Sequence, residues 1–144
     1  MPQYSQHSFG LQLALLSRAW RAELDRRLAN LGLSQARWLV LRHLSVMKSP
    51  PTQRELAQIV GVEGPTLARL LDSLESQRLV KRVTVPEDRR AKRVTLTEQA
   101  RPLIEQIETI ASQMRSEVFV GIAEEDVRRC EDVHERILAN LTRE

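Results

Sequence analysis

Aromatic residues are scarce in this sequence, since Phe, Trp and Tyr together make up 3% of its 144 residues. The core must therefore be built from Leu, Val, Ile and Ala, a composition that favours packed helices.

The only cysteine, Cys130, excludes an internal disulfide framework and fits a reducing cytoplasm. Five glycines and six prolines argue against a long disordered tail. The length fits one domain that buries about two-thirds of its unfolded surface.

Long apolar runs are also missing. No stretch of 18 apolar residues exists, which excludes a membrane-spanning helix. Residues 1–7 lack the basic start and apolar stretch of a secretory signal. We therefore expect a cytoplasmic protein that does not enter a membrane.

Signatures of catalysis and metal binding are absent from the sequence. It contains no phosphate-binding loop, nucleophile elbow or paired catalytic carboxylates, so we predict no catalytic residue, no cofactor and no enzyme activity. The three histidines, His7, His43 and His134, lack the spacing of metal ligands, so no metal site is expected.

The apolar spacing predicts a series of helices. A long first helix starts near Ser8 and ends at Gly32, and a second is capped by Ser34 and closed by Pro50-Pro51. Thr52 and Glu55 have the spacing of a capping box, which predicts a short helix that stops at Gly61. The next helix covers 63–77 and turns four leucines towards the core, at positions 67, 70, 71 and 74.

A hairpin and two more helices complete the predicted order. The β-branched segments 79–85 and 93–97 are predicted strands, with a polar tip at 86–93 between them. Thr97 is predicted to cap a long helix that Gly121 breaks. The last helix starts at 124–126 and carries an apolar face formed by Val127, Cys130, Val133, Ile137 and Leu141.

The helix over 63–77 has a second, polar face. Pro65, Thr66, Arg69 and Ser73 point away from the leucines. An outward arginine can bind guanine O6 and N7 together, and threonine can contact a base edge or a phosphate. Two helices joined by the short turn at Gly61-Val62 match helix-turn-helix geometry. The alternative is a plain two-helix corner with a solvated polar side.

The hairpin tip favours the first interpretation. Residues 78–93 hold seven Lys or Arg against two acids, so this segment carries +5 while the whole chain carries +3. Cations spread over a hairpin tip can reach a minor groove or the phosphates. Asp88 could orient the guanidinium of Arg89 or Arg90, and it could also serve ordinary turn chemistry; we expect both roles together. The four cations crowded into five positions are Arg89, Arg90, Lys92 and Arg93.

Three segments resemble the MarR family of transcriptional regulators, and within it the SlyA branch. The resemblance covers nearly the whole chain from the Arg18-x-Trp20-Arg21 region onwards, and the hairpin segment is its most specific part. The segments are Leu56-Ala57-x-x-Val60-Gly61-Val62, Pro65-Thr66-Leu67-x-Arg69-x-Leu71-Asp72-x-Leu74 and Asp88-Arg89-Arg90-Ala91-Lys92-Arg93-x-x-Leu96-Thr97. One departure is Ala123, where a capping serine is more usual.

The resemblance implies a winged-helix dimer on pseudo-palindromic promoter DNA, acting as a repressor or, in SlyA-like members, as an activator that relieves silencing. The helix over 63–77 would enter the major groove, and the wing would take Arg89 to the minor groove. The full set of predicted DNA-binding residues is Thr52, Gln53, Pro65, Thr66, Arg69, Ser73, Arg82, Asp88, Arg89, Arg90 and Lys92. A different class of function stays open, namely a winged helix that binds an acidic protein partner.

The predicted fold class is mainly α with a small β-hairpin wing (α+β). In one compact protomer we expect an N-terminal dimerisation helix (1–33), a winged helix-turn-helix (34–97) and C-terminal dimerisation helices (98–144). The terminal apolar stripes are too extensive for so small a core to cover, which predicts a homodimer. Two-fold symmetry would set the two DNA-reading helices about 34–36 Å apart. The alternative is a monomer whose terminal helices fold back on the core.

Two further predictions concern small molecules and redox chemistry. The family often binds phenolic acids such as salicylate, and Arg18, Trp20, Trp38 and Arg42 could line a crevice for an aromatic carboxylate. The alternative places both Trp in the core and both Arg on the surface. Cys130 lies in register with Val127 and Val133, so we expect a small buried hydrophobic residue and not a redox sensor.

Overall fold

The computed structural model describes residues 8–143. This part of the chain forms six α-helices and one two-stranded antiparallel sheet, which confirms the predicted winged-helix fold. A short 3-10 turn, Ala29–Leu31, follows the first helix, and another, Glu98–Ala100, precedes the fifth helix. The elements are α1 (Phe9–Leu28), α2 (Gln35–Val46), α3 (Gln53–Val60), α4 (Gly64–Ser76), β1 (Val80–Val85), β2 (Asp88–Leu96), α5 (Arg101–Val118) and α6 (Glu124–Leu141).

The chain divides into two compact units, one up to Ala111 and one from Ser112 onwards. The first contains α1 to α4, the hairpin and the start of α5; the second contains the rest of α5 and α6. The prediction that residues 1–7 carry no secretory signal lies outside the described residues. Between residues 8 and 143, no helix is both long and apolar enough to cross a membrane.

The predicted starts of the second and third helices are confirmed. The Ser34 hydroxyl accepts a hydrogen bond from the Arg37 amide at 3.4 Å, and the Thr52 hydroxyl accepts one from the Glu55 amide at 3.1 Å. Each satisfies an amide that has no partner inside its helix. The Glu55 side chain makes no reciprocal bond to Thr52 among the described residues, so only half of the predicted capping box forms.

The helix ends follow the glycines in two cases and differ in one. Gly61 ends α3 with φ +81°, and Gly32 follows the turn after α1 with φ +71°, both in the left-handed region that glycine tolerates. The prediction that Pro50-Pro51 ends the second helix is wrong by several residues. That helix ends at Val46, because Met47 already adopts extended backbone angles.

The core of the first unit is apolar throughout. Leu67, Leu71 and Leu74 of α4 are fully buried, as predicted, whereas Leu70 is only half-buried. No buried polar or charged residue occurs between residues 8 and 143. Because such a core is close-packed, the helices form a rigid support for the hairpin. Fully buried residues from other elements are Leu24, Leu28, Trp38, Val40, Leu41, Leu56, Val80, Val94 and Ile107.

The hairpin, called the wing below, differs from the prediction in its second strand. This strand begins at Asp88, so the tip is only Pro86-Glu87, and the cations predicted for a loop lie on a strand. Thr84 pairs with Lys92, but Val85 pairs with Asp88. The register shift leaves Arg89, Arg90 and Ala91 without a partner across the hairpin. They form a bulge, which twists the strand end and re-aims its side chains.

The base of the wing is tied to the start of α3. The amide of Val94 donates to the carbonyl of Pro51 at 2.9 Å, and Arg93 Nη1 donates to the carbonyl of Pro50 at 2.8 Å. Thr52 and Arg93 form an isolated antiparallel bridge. The Arg93 side chain therefore holds the wing against the start of α3. The sequence-based prediction had placed it with the other cations of the tip.

The turn between α4 and the wing explains why Thr97 does not cap a helix directly. Arg78 has φ +61°, an uncommon conformation for a residue with a side chain. Its carbonyl accepts a hydrogen bond from the Thr97 hydroxyl at 2.5 Å, and the Thr97 amide donates to Leu79 at 3.1 Å. The prediction that Thr97 caps the long helix is wrong, since a 3-10 turn follows and α5 starts at Arg101.

Both terminal helices expose apolar side chains. In α6 no residue is buried, and Leu141 is 76% exposed. Cys130 is exposed as well, so the prediction of a buried cysteine is wrong for the single chain. The first half of α1 shows the same pattern at Phe9, Leu11, Leu13 and Leu16.

Candidate nucleic-acid interface

The start of α3, α4 and the wing enclose a groove of about 920 Å³ in the first unit. Six of the predicted DNA-binding residues line it: Thr52, Gln53, Arg82, Asp88, Arg90 and Lys92. Arg54 lines it too and was missed by the sequence-based prediction. Its place one residue after Gln53, in the first turn of α3, was the available signal.

The outward face of α4 matches the prediction at three of four positions. Pro65, Thr66 and Arg69 are exposed, and Ser73 is half-buried. Arg69 makes no hydrogen bond or ion pair with the described residues. Its guanidinium therefore keeps all five N–H donors for another molecule.

The wing presents three cations whose side chains have no ion-pair partner in the described part of the chain. Arg89, Arg90 and Lys92 are exposed, and none of the three side chains forms an ion pair within residues 8–143. The Asp88 carboxylate accepts a hydrogen bond from the Arg90 backbone amide at 3.0 Å. Of the two interpretations of Asp88, the structure favours turn chemistry, because the carboxylate fixes the backbone of the bulge and not a guanidinium.

Arg82 differs from the other cations because α4 already holds it. Its guanidinium bonds the Asp72 carboxylate at 2.5 Å and the Glu75 carboxylate at 3.3 Å. The hydrogen bond between the two groups lowers the pKa of Glu75 and raises the pKa of Arg82, so Glu75 and Arg82 stay charged near neutrality. These contacts use Nε and Nη2 of Arg82, so a direct DNA contact would have to use Nη1 or break the cluster.

Comparison with known proteins agrees with this geometry. A model of the MarR family matches residues 31–91. The chain is similar to the solved structure of the transcriptional regulator PA3341, with 65% identity over 92% of this chain and 97% of that one and a TM-score of 0.84. This chain belongs to the MarR family. It is therefore a transcriptional regulator with a DNA-binding winged helix.

Two more distant structures share the fold. A MarR-family regulator from Silicibacter pomeroyi is 27% identical over 96% of this chain and 92% of that one, with a TM-score of 0.80. NadR, solved in complex with 4-hydroxyphenylacetate, has a TM-score of 0.84 at 22% identity, over 95% of this chain and 97% of that one. At that identity, the likeness to NadR shows the fold alone.

The four residues predicted to bind an aromatic carboxylate have different surroundings in this MarR-family chain. Trp38 is 1% exposed and donates from Nε1 to Asp25 at 3.0 Å, as expected of a core residue. Arg42 donates from Nε to Glu108 at 3.2 Å. Arg18 is exposed and Trp20 is half-buried. None of the four lines the groove beside the wing.

A second cavity, of about 580 Å³, lies between the 3-10 turn Ala29–Leu31 and the first half of α5. It contains none of the four residues either. Its lining is Leu31, Pro102, Glu105, Gln106, Thr109 and Ile110. An aromatic carboxylate that contacts Arg18 or Arg42 would therefore need a site outside both cavities.

Proposed function

We propose that this regulator acts as a homodimer that inserts α4 of each chain into the major groove of a pseudo-palindromic promoter site. The wing of each chain then lies at the neighbouring minor groove and phosphates. The observation that carries the proposal is the bulge in β2, which leaves Arg89 and Arg90 outside the hairpin pairing, with neither side chain in an ion pair among residues 8–143. Cations held in this way suit the negative potential of a narrow minor groove.

Each predicted DNA-binding residue except Arg82 receives a role in this arrangement. Exposed Arg69 binds a guanine edge, and Thr66 with Pro65 contacts neighbouring bases or backbone. Half-buried Ser73 reaches the DNA backbone only. Thr52, Gln53 and Lys92 line the groove and contact phosphates. Asp88 shapes the wing through its bond to the Arg90 amide.

Substitutions of Arg69 and Arg89 test the roles of helix and wing. We expect Arg69→Ala to cost about 1–3 kcal/mol on the preferred site and to relax specificity at one base pair. Arg89→Ala should weaken binding to every duplex and reduce the slope of log affinity against log salt by about one. Arg128→Ala, an exposed arginine of α6, is the control.

Two results would count against these roles. Wild-type affinity in both variants would remove Arg69 and Arg89 from the mechanism. Failure of the parent protein to bind any duplex at low ionic strength, including the DNA upstream of its own gene, would overturn the proposed function.

The dimer is supported by the apolar residues that the single chain leaves exposed on α1 and α6. In this proposal residues 1–33 and 98–144 form the dimer, and residues 34–97 bind DNA. Exposed stripes of this kind are rarely left uncovered in a stable protein. Deletion of residues 1–16, which removes the exposed apolar residues of α1 but spares the buried Leu24 and Leu28, should give a monomer in sedimentation experiments. A truncated protein that stays dimeric with unchanged DNA affinity would contradict the arrangement.

A small aromatic carboxylate that releases the protein from DNA is the effector we propose. Two observations support it: NadR has 4-hydroxyphenylacetate bound, and Arg18 and Trp20 lie at or near the surface of α1. Titration of salicylate and 4-hydroxyphenylacetate, followed by Trp fluorescence and release of labelled DNA, tests the idea. Benzyl alcohol, which lacks the carboxylate, is the control. No response at millimolar concentrations would contradict it.

The proposal also includes membership of the SlyA-like branch and a cytoplasmic location. A promoter reporter in cells with and without the protein would show whether it represses, activates or does both. Relief of silencing at one or more promoters is the outcome expected of a SlyA-like regulator. Repression alone at every bound promoter would count against that branch.

A further inference from the structure

Arg82 forms the ion-pair cluster that links the wing to α4. It lies on β1, and its two partners, Asp72 and Glu75, lie three residues apart on α4. The side chain of Arg82 is only 19% exposed, whereas those of Asp72 and Glu75 are 64% and 44% exposed. The arginine is therefore the most enclosed member of the cluster, and its fork contacts both acids.

This cluster differs from the other ion pairs described between residues 8 and 143. Apart from Arg42–Glu108, those pairs join residues three or four positions apart. Pairs of that kind stabilise a local turn of helix and little else. The Arg82 cluster instead connects two elements, each of which carries predicted DNA-binding residues.

Asp72 and Glu75 are unexpected on a helix that is proposed to bind DNA. They lie on the helix proposed to enter the major groove, and Glu75 lines the groove beside the wing. Two carboxylates in such a place repel phosphates and weaken binding to any duplex. The two acids hold Arg82, and through it they fix the geometry of the wing. Their presence is explained if this geometry adds more affinity for the specific site than the repulsion of phosphates takes away.

We propose that Arg82 is a positioning residue: by bridging Asp72 and Glu75 it fixes the wing relative to α4, so that Arg69 and Arg89 engage one DNA site together. The proposal rests on the DNA arrangement put forward above. It replaces the direct DNA contact that the sequence predicted for Arg82. The competing possibility is that Arg82 leaves the acids and binds a phosphate directly.

The sign of one effect separates the two possibilities. In Asp72→Asn/Glu75→Gln, two negative charges disappear from the DNA-facing side, so charge alone strengthens binding to every duplex. A positioning role predicts stronger binding to random duplex but roughly tenfold weaker binding to the preferred site. Equal or stronger binding to the preferred site would overturn the proposal.

The chain offers a matched control on α6. Arg129 lies 2.8 Å from Glu125 and 3.7 Å from Asp126, so it repeats the combination of one arginine with a glutamate and an aspartate, but within one helix. Glu125→Gln/Asp126→Asn makes the same change in net charge. Because α6 belongs to the proposed dimer region, both variants are compared at concentrations at which sedimentation shows them to be dimeric. Under these conditions the α6 variant should leave the ratio of specific to random binding unaltered. A fall in that ratio equal to that of the α4 pair would show a general charge effect and overturn the proposal.

Substitution of Arg82 itself gives a second test. Arg82→Lys keeps the positive charge but loses the planar fork that contacts two carboxylates. A positioning role predicts several-fold weaker binding to the preferred site with an unchanged salt slope. A phosphate contact predicts near-normal affinity in Arg82→Lys and a slope lowered by about one in Arg82→Gln. The second pattern would overturn the proposal.

A measurement without DNA keeps this proposal separate from the proposed function. Spin labels at Ser76→Cys on α4 and Glu87→Cys on the wing tip, in a Cys130→Ser background, report the distance between the two elements. Labelled chains are diluted into excess unlabelled protein, so that each distance arises within one chain. Arg82→Gln should broaden the distance distribution, and an unchanged distribution would overturn the proposal. Broadening in a protein that binds no duplex would support the role of Arg82 and refute the DNA arrangement.

Discussion

Helices α4 and α6 carry apolar residues at the same helical spacing, but their surroundings are opposite. Leu67, Leu71 and Leu74 of α4 are fully buried, whereas α6 has no buried residue. Helical periodicity identifies the apolar face of a helix but does not say what covers it. In α4 the cover comes from the same chain, and for α6 we propose that it comes from a second chain.

The two regions also differ in how their helices begin. Thr52 supplies a side-chain cap for α3, whereas Ala123 stands at the same place before α6 and has no side chain that can accept a hydrogen bond. The acids in the first turn of α6, at 124–126, favour the helix through its dipole but leave the first amides unsatisfied by a cap. A side-chain cap thus fixes the start of α3 in the DNA-binding region, whereas no side-chain cap fixes the start of α6.

The largest effect is expected in the core under α4. Leu71→Ala should lower the free energy of unfolding by about 2–5 kcal/mol, because the side chain is fully buried and a cavity remains. Urea unfolding measures the change. Leu141→Ala on α6 is the comparison, since this side chain is 76% exposed in the single chain. An equal loss at Leu141 would mean that a partner buries it as fully as the core buries Leu71.

The second-largest effect is expected at the dimer interface that we propose for α6. Leu138 is 59% exposed, and Leu138→Asp would place a charge against the partner's apolar surface. We expect the dimer dissociation constant to rise at least tenfold, which corresponds to about 1.4 kcal/mol. Sedimentation at several protein concentrations measures it, with Leu138→Met as the control. An unchanged constant would show that α6 lies outside the interface.

A smaller pair of effects is expected at the helix starts. Thr52→Ala removes the cap of α3 and should cost about 0.5–2 kcal/mol, while Ala123→Ser adds a cap to α6 and should stabilise by a similar or smaller amount. Thermal unfolding of both variants measures the two changes. If Ala123→Ser has no effect, the start of α6 is already satisfied by another group.

The smallest effect is a pH dependence at His43. Burial, followed by the nearby charges of Arg21 and Arg42, lowers the pKa of His43 below its ordinary value of about 6.5. The unfolded chain then binds a proton more readily than the folded one, so stability should fall as the pH drops below about 6.5. His43→Gln should reduce this slope in urea unfolding between pH 7.5 and 5.5. His134→Gln, at an exposed position on α6, is the control, and an equal change there would contradict the assignment.

Much of the fold was predictable because local chemistry determined it. Ser34 and Thr52 cap helices as predicted, and Gly32 and Gly61 adopt the left-handed conformation that ends them. The outward positions of Pro65, Thr66 and Arg69 followed from the helical period. In each case the deciding interaction lies within about four residues.

The differences arise where the deciding interaction is more distant. The bulge at Arg89 to Ala91 depends on how β1 and β2 pair, and composition does not specify that register. Arg82 looked like any other cation of the wing, because its partners lie seven and ten residues earlier on another element. The exposure of Cys130 depends on what covers α6, which a single chain does not contain.

Pro50 and Pro51 give the edge of the wing a property of their own. Their carbonyls accept hydrogen bonds from Arg93 and Val94, but neither proline has a backbone N–H to offer on the opposite side. A further extended segment therefore finds no donors there with which to continue the sheet. On this side of β2, the two consecutive imino acids therefore disfavour the addition of another strand.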